Sequence, residues 1–155
     1  FLYFIVFTFF YNTYQKMAMS GVTVSDEVIK TFEELKRKKA FRYIVFTIAD
    51  GKTISNAAIG ERSANYDDFL SKLPKDNAAY GIFDVEYETP DGPREKIVLI
   101  AWIPDTAKPR ERMLYSSSKQ ALDNLDSSLL HIQANDQSDL AFETVVAKIK
   151  ANKTA

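Results

Sequence analysis

Tyr80-Gly81-Ile82-Phe83-Asp84-Val85-Glu86-Tyr87-Glu88, then Pro90-Asp91-Gly92-Pro93, then Ile97-Val98-Leu99-Ile100-Ala101-Trp102, is the stretch that decides the fold. Its first part alternates. Phe83, Val85 and Tyr87 fall on one face and Asp84, Glu86 and Glu88 on the other, which predicts a strand with one buried and one solvated side. The Pro-Asp-Gly-Pro turn sends the chain back. The return run is apolar at every position, as expected of a central strand covered on both faces, so helices must lie on both sides of the sheet.

The flanking sequence supplies those helices. Ser25 precedes Asp26 and Glu27, a capping residue followed by acids in the positive first turn, and Val28, Ile29, Phe32 and Leu35 recur at helical spacing. This helix ends in Lys36-Arg37-Lys38-Lys39. Arg42 to Ile48 and Thr53 to Ile59 flank Asp50-Gly51 as a β-hairpin, and a short helix from about Tyr66 to Leu73 stops at Pro74. Downstream, Pro104-Asp105-Thr106 ends the strand and is expected to cap a helix from about Ala107 to Leu125. A short strand near Ile132 and a last helix from about Asp139 to Lys150 follow. The order is αββαββαβα: an α/β domain with a central mixed sheet of about five strands flanked by helices on both faces.

Composition narrows the function. A chain of 155 residues, 46% hydrophobic, builds one core and not two. Twenty basic residues balance 21 acidic ones, so no global field points to nucleic acid or an anionic membrane. The absence of cysteine excludes disulfides, thiol nucleophiles and thiolate metal sites, and suits a reducing cytosolic setting. The single histidine, His131, has no nucleophile or second ligand nearby in sequence and reads as structural. There is no phosphate-cradling glycine loop and no serine elbow. Asp67 and Asp68 are adjacent and diverge on a helix, and Asp84, Glu86 and Glu88 read as a solvated strand face. Neither an enzyme nor a metal or other cofactor is expected.

Phe1 to Gln15 carries no charge, and its apolar run of roughly 11 residues falls short of the ~20 that span a bilayer. It has neither the basic start nor the small-residue cleavage site of a signal peptide. The expectation is that translation starts at Met17 or Met19, that residues 1–16 are a non-native or disordered extension, and that the domain is 17–155; a membrane tether is the rival reading.

The helix after Trp102 carries the binding signal. At about 100° per residue, Leu114, Tyr115, Ser118, Ala121, Leu122 and Leu125 gather on one face as a core stripe. Arg110, Met113, Ser117, Gln120 and Asn124 form a neighbouring one. A flexible apolar side chain between arginines, followed by short hydroxyl residues, offers an anchor, charged steering and room for close approach; a solvated face with a stray methionine fits the same pattern. Arg94 and Lys96 point the same way from the start of a strand, and as cross-strand partners of Glu86 and Glu88 they would need no ligand. Lys36 to Lys39 fits either a solvated helix end or a nuclear-import signal. Ser20, in an unstructured leader, would be open to a kinase, and a phosphate of about −1.5 to −2 would repel an acidic partner.

Together these pieces resemble the cofilin/actin-depolymerising factor family over residues 19–150. The matching stretches are Ser20-Gly21-Val22, Lys36-Arg37-Lys38-Lys39, Glu95-Lys96-Ile97-Val98, Trp102-Ile103-Pro104-Asp105-Thr106-Ala107, Arg110-Glu111-Arg112-Met113-Leu114-Tyr115-Ser116-Ser117-Ser118-Lys119 and Ile132-Gln133-Ala134-Asn135. The resemblance implies a single ADF-homology domain that binds monomeric and filamentous actin and promotes severing and depolymerisation in the cytoplasm. It places Ser20, Gly21, Val22, Arg110, Arg112, Met113 and Ser117 in the contact shared by monomer and filament, with Ser20 as inhibitory phosphosite. It places Arg94, Lys96, Lys148 and Lys150 in a filament-specific contact, the tail match being partial, and implies that phosphoinositide headgroups compete for the basic residues. The chain is expected to be a monomer. The rival functions are a related module that binds filaments or the actin-related branching complex without severing, and a phosphoinositide-binding peripheral protein.

Overall fold

A computed structural model describes residues 20–152. The elements in chain order are β1 (Thr23–Val24), α1 (Asp26–Lys38), β2 (Phe41–Thr47), β3 (Thr53–Glu61), α2 (Tyr66–Lys72), β4 (Ala79–Thr89), β5 (Gly92–Trp102), α3 (Pro109–Ser118), α4 (Gln120–Asp123), β6 (Leu130–Ala134) and α5 (Phe142–Ala151). The proposed start at Met17 or Met19 and the extension 1–16 lie outside the described residues.

Local chemistry explains the boundaries. Ser25 Oγ accepts from Val28 N at 3.3 Å and caps α1, with Asp26 and Glu27 in its first turn and Lys36, Arg37 and Lys38 in its last. Asp50 Oδ1 accepts from the amides of Lys52 and Thr53 at 2.8 and 2.7 Å, closing the β2–β3 turn where Gly51 adopts φ 71°. Asn65 caps α2 through Asp68 N.

The sheet has the order β1-β3-β2-β4-β5-β6, antiparallel through its middle and parallel at β1–β3 and β5–β6. It has six strands, one more than the sequence suggested. The addition is a two-residue strand in the leader: Val22 and Val24 are buried, and their anchoring draws the chain alongside β3. Val28, Phe32 and Leu35 of α1, with Tyr115 and Leu122 from α3 and α4, cover one face over Ile44, Phe46, Ile82 and Leu99. On the other, Phe69 of α2 and Val145 and Ile149 of α5 pack on Val45, Phe83, Val98 and Ile100. A Cβ on Gly81 would lie 2.5 Å from Phe69 Cζ, so glycine lets α2 approach this closely.

Four further expectations need correction. The helix expected over 107–125 is two, because Leu122 N and Leu125 N bond three residues back and tighten the chain after Lys119. Its cap is not Asp105 or Thr106: the N-cap is Lys108, with no side-chain cap bond. Asp84 is fully buried rather than solvated, and ion pairs with Lys39 and Arg62 hold its charge. Finally, the β4–β5 register sets Arg94 opposite Tyr87 and Lys96 opposite Val85, not opposite the glutamates.

Candidate functional site

α3 is pinned largely by polar contacts, since Tyr115 and Ser118 are its only buried residues. Pro109 opens it, where a missing N–H costs nothing. Glu111 Oε1 accepts from Ala78 N at 2.7 Å, tying the first turn to the start of β4. The Tyr115 hydroxyl accepts from Ile48 N at 2.8 Å in a buried setting, and Tyr80 OH donates to Tyr115 O. Burial pushes the Tyr80 and Tyr115 phenols up from their usual pKa, keeping both neutral. Each pin fixes where the helix sits and which stripe it turns outward.

That outward stripe carries Arg110, Met113 and Ser117, all exposed. Met113 is 73% exposed, and among the described residues Ile59 at 43% is the one other large exposed hydrophobic. Ser117 Oγ donates back to Met113 O and Leu114 O, at 2.9 and 3.1 Å, and so presents little bulk. Arg112 leans 3.4 Å from Asp105 Oδ1. A cleft of about 570 Å³ runs along one flank of the helix past Ile48, Pro74, Lys108, Arg110 and Leu114, and one of about 220 Å³ along the other past Ile103, Met113 and Gln133.

The leader joins this site. Ser20 is exposed, and its Oγ lies 2.8 Å from Ser118 Oγ at the end of α3. Gly21 turns at φ 79°. Val22 is buried as a whole residue, 1% exposed, so it anchors the leader on the core and offers no surface to a partner, contrary to its expected place in the contact. Ser20 to Val24 are therefore held against the body, contrary to the sequence reading.

Arg94 and Lys96 lie elsewhere. α3 meets the sheet where β2 ends and β4 begins, whereas Arg94 is near the start of β5; eight strand steps from Arg94 to Trp102 span roughly 26 Å. Alternation with buried Val98 and Ile100 puts Arg94 and Lys96 on the face that α5 covers. Lys148 and Lys150 on α5 are exposed and flank buried Ile149. Two residues apart on a helix is about 200°, so they project to opposite sides. The basic run that ends α1 is partly consumed: Lys36 pairs with Asp126, Arg37 with Glu33, and Lys39 with Asp84 and Glu95.

A family model described as cofilin/tropomyosin-type actin-binding protein matches residues 21–150. The chain belongs to the cofilin/ADF family. It is similar to actophorin of Entamoeba histolytica, 42% identical over 137 residues covering 85% of this chain and 97% of the relative. It is also similar to cofilin of Schizosaccharomyces pombe, 40% identical over 134 residues covering 86% and 98%. Among solved structures, ADF/cofilin from Trypanosoma brucei superposes with a TM-score of 0.73 at 48% identity, covering 88% of this chain and all of that one.

Membership of the cofilin/ADF family makes the chain one of a family of actin-binding proteins. Among the described residues no group of acids and histidine could hold a metal, and none of the helices is long and apolar enough to cross a membrane. His131 packs half-buried with Nδ1 3.3 Å from Asp123 Oδ1, and burial lowers its pKa against the opposing pull of Asp123. Sequence reasoning found the Met113 stripe and missed its supports. Glu111 had no role assigned and Tyr115 read as core; nothing in their spacing showed that their side-chain oxygens receive the backbone amides of Ala78 and Ile48.

Proposed function

We propose that this chain binds monomeric and filamentous actin and promotes severing and depolymerisation of the filament, making and breaking no covalent bond. Met113 carries the reading: a large apolar side chain held in water on a helix whose buried side is fixed by Glu111, Tyr115 and Ser118. Covering that side chain with a partner removes its apolar area from water and so favours association. Arg110 and Arg112 steer the encounter, Ser117 lets the surfaces close, and Ser20 and Gly21 extend the contact, with buried Val22 anchoring them.

Arg94 and Lys96, with Lys148 or Lys150, touch the next subunit in the filament. A ligand bridging two subunits shifts filament geometry only by its differential affinity for the altered form, and weakened contacts in that form are the route to severing. Phosphoinositide headgroups compete for the same basic residues, and phosphorylation of Ser20 opposes actin binding. The protein acts as a monomer at the cytoplasmic actin cytoskeleton. Lys36, Arg37, Lys38 and Lys39 are the candidate import signal, the first three exposed and Lys39 half-buried.

Microscopy of surface-tethered fluorescent filaments tests this reading. Added protein should raise the frequency of breaks along filaments, and the Arg110→Ala/Arg112→Ala variant should not. Filaments that are decorated without breaking or shortening would instead identify a non-severing filament binder of the same fold.

A further inference from the structure

Asp84, Glu86 and Glu95 have no part in the contacts proposed above, yet Asp84 is a fully buried carboxylate. Their place in the sheet is informative. β2 pairs with β4 over Tyr80 to Phe83 and β6 pairs with β5 over Val98 to Trp102. Beyond those registers Asp84 to Thr89 and Gly92 to Ile97 have only each other as strand neighbours, a two-stranded ribbon projecting from the body and bearing Arg94 and Lys96. Such a ribbon is marginal by itself, and Glu86 directly opposite Glu95 adds like-charge repulsion at its base.

Three cations of the body close on that base. Lys39 Nζ, at the left-handed end of α1, lies 3.0 Å from Asp84 Oδ2 and 2.8 Å from Glu95 Oε1. Arg62, just past β3, reaches Asp84 Oδ2 at 2.8 Å, Glu86 Oε1 at 3.5 Å and Glu95 Oε2 at 3.9 Å. Arg42 of β2 donates Nε to Asp84 O at 2.9 Å, places Nη1 3.3 Å from Glu86 Oε1, and lies over the Phe83 ring. Burial disfavours the Lys39 ammonium, but Glu95 and Asp84 more than offset this and raise its pKa. Asp84 Oδ1 has no hydrogen-bond partner, so its charge depends on these cations, and removing one leaves a buried carboxylate undercompensated.

We propose that Lys39, Arg42 and Arg62, gripping Asp84, Glu86 and Glu95, act as positioning residues that fix the direction of the β4–β5 ribbon, and so set filament affinity while leaving monomer affinity alone. The link to filaments rests on the reading of Arg94 and Lys96 as a filament contact; the ribbon's fixation does not.

Arg62→Met and, separately, Glu95→Gln in the full chain test it, the second because Glu95 is exposed and its loss leaves the buried carboxylate paired. Without actin, amide hydrogen exchange over residues 84–97 should quicken by roughly three- to thirtyfold, while α1 and α3 exchange as before. Filament co-sedimentation should weaken by a similar factor and monomer binding should hold. Unchanged ribbon exchange in both folded variants overturns the proposal without reference to actin, and so does an equal fall in monomer and filament binding. Faster exchange with undiminished filament binding overturns the coupling to filaments. The Arg94→Ala/Lys96→Ala control then shows whether the filament-contact reading fails with it: that variant keeps filament binding if the reading is wrong and loses it if the reading stands.

Discussion

Ser20 Oγ lies 2.8 Å from the hydroxyl of Ser118, which is fully buried at the end of the helix that presents Met113. A phosphate on Ser20 brings about −1.5 to −2 charges and three oxygens to that spot, and its bulk cannot fit within the 2.8 Å that separates the two hydroxyls. The leader should lift away. Ser20→Glu is expected to weaken actin binding and to speed exchange of the Thr23 amide, which bonds Lys52 O at 3.0 Å. Ser20→Ala should cost no more than about 1.5 kcal/mol of stability. Thr23 exchange and actin affinity both unmoved by Ser20→Glu would refute the coupling of leader and helix.

Tyr115→Phe removes one oxygen and leaves the buried Ile48 amide without its acceptor. Such an orphan costs about 1–3 kcal/mol, so thermal unfolding should shift down by several degrees. Actin affinity should fall too, because the same bond holds α3 in place. A variant with wild-type melting and wild-type affinity would show that the bond does not position the helix.

Asp126 supplies a pH signature. Burial alone would raise its pKa, but the hydrogen bonds from Lys36 and from the Ser128 amide and hydroxyl lower it from 3.8 to about 2. A carboxyl depressed in the folded state stabilises above its unfolded value and loses that contribution as pH falls through its folded one. Stability should therefore drop on acidification between pH 3.8 and about 2, and Asp126→Asn should flatten that part of the curve. Identical acid limbs in both proteins would exclude the Lys36 pair as a stabilising contact.

The periodic parts of the fold were legible. Alternation in β4, the apolar run of β5 and the capped stripe of α1 each state a period and a buried side, and the Met113 stripe was visible because its chemistry broke the rule for a surface face. What escaped depends on partners far away in sequence. Asp84 alternates like a solvated residue, and only the approach of Lys39 and Arg62, 45 and 22 residues away, allows its burial. Val22 looked like part of a loose leader because a two-residue strand is too short to show a period. The register that sets Arg94 against Tyr87 is fixed by where the turn begins, and Glu88 pairs with Pro93 one residue away from the simpler expectation.

The central claim is that two contacts at opposite ends of one sheet do different work, and it is tested most directly by measuring monomer and filament affinity on the same two variants. Arg110→Ala/Arg112→Ala should lose both by about tenfold or more, equivalent to at least ~1.4 kcal/mol. Arg94→Ala/Lys96→Ala should lose filament binding and keep monomer binding within about twofold. Filament and monomer affinities falling together in the second variant, or staying unchanged in the first, would contradict the account.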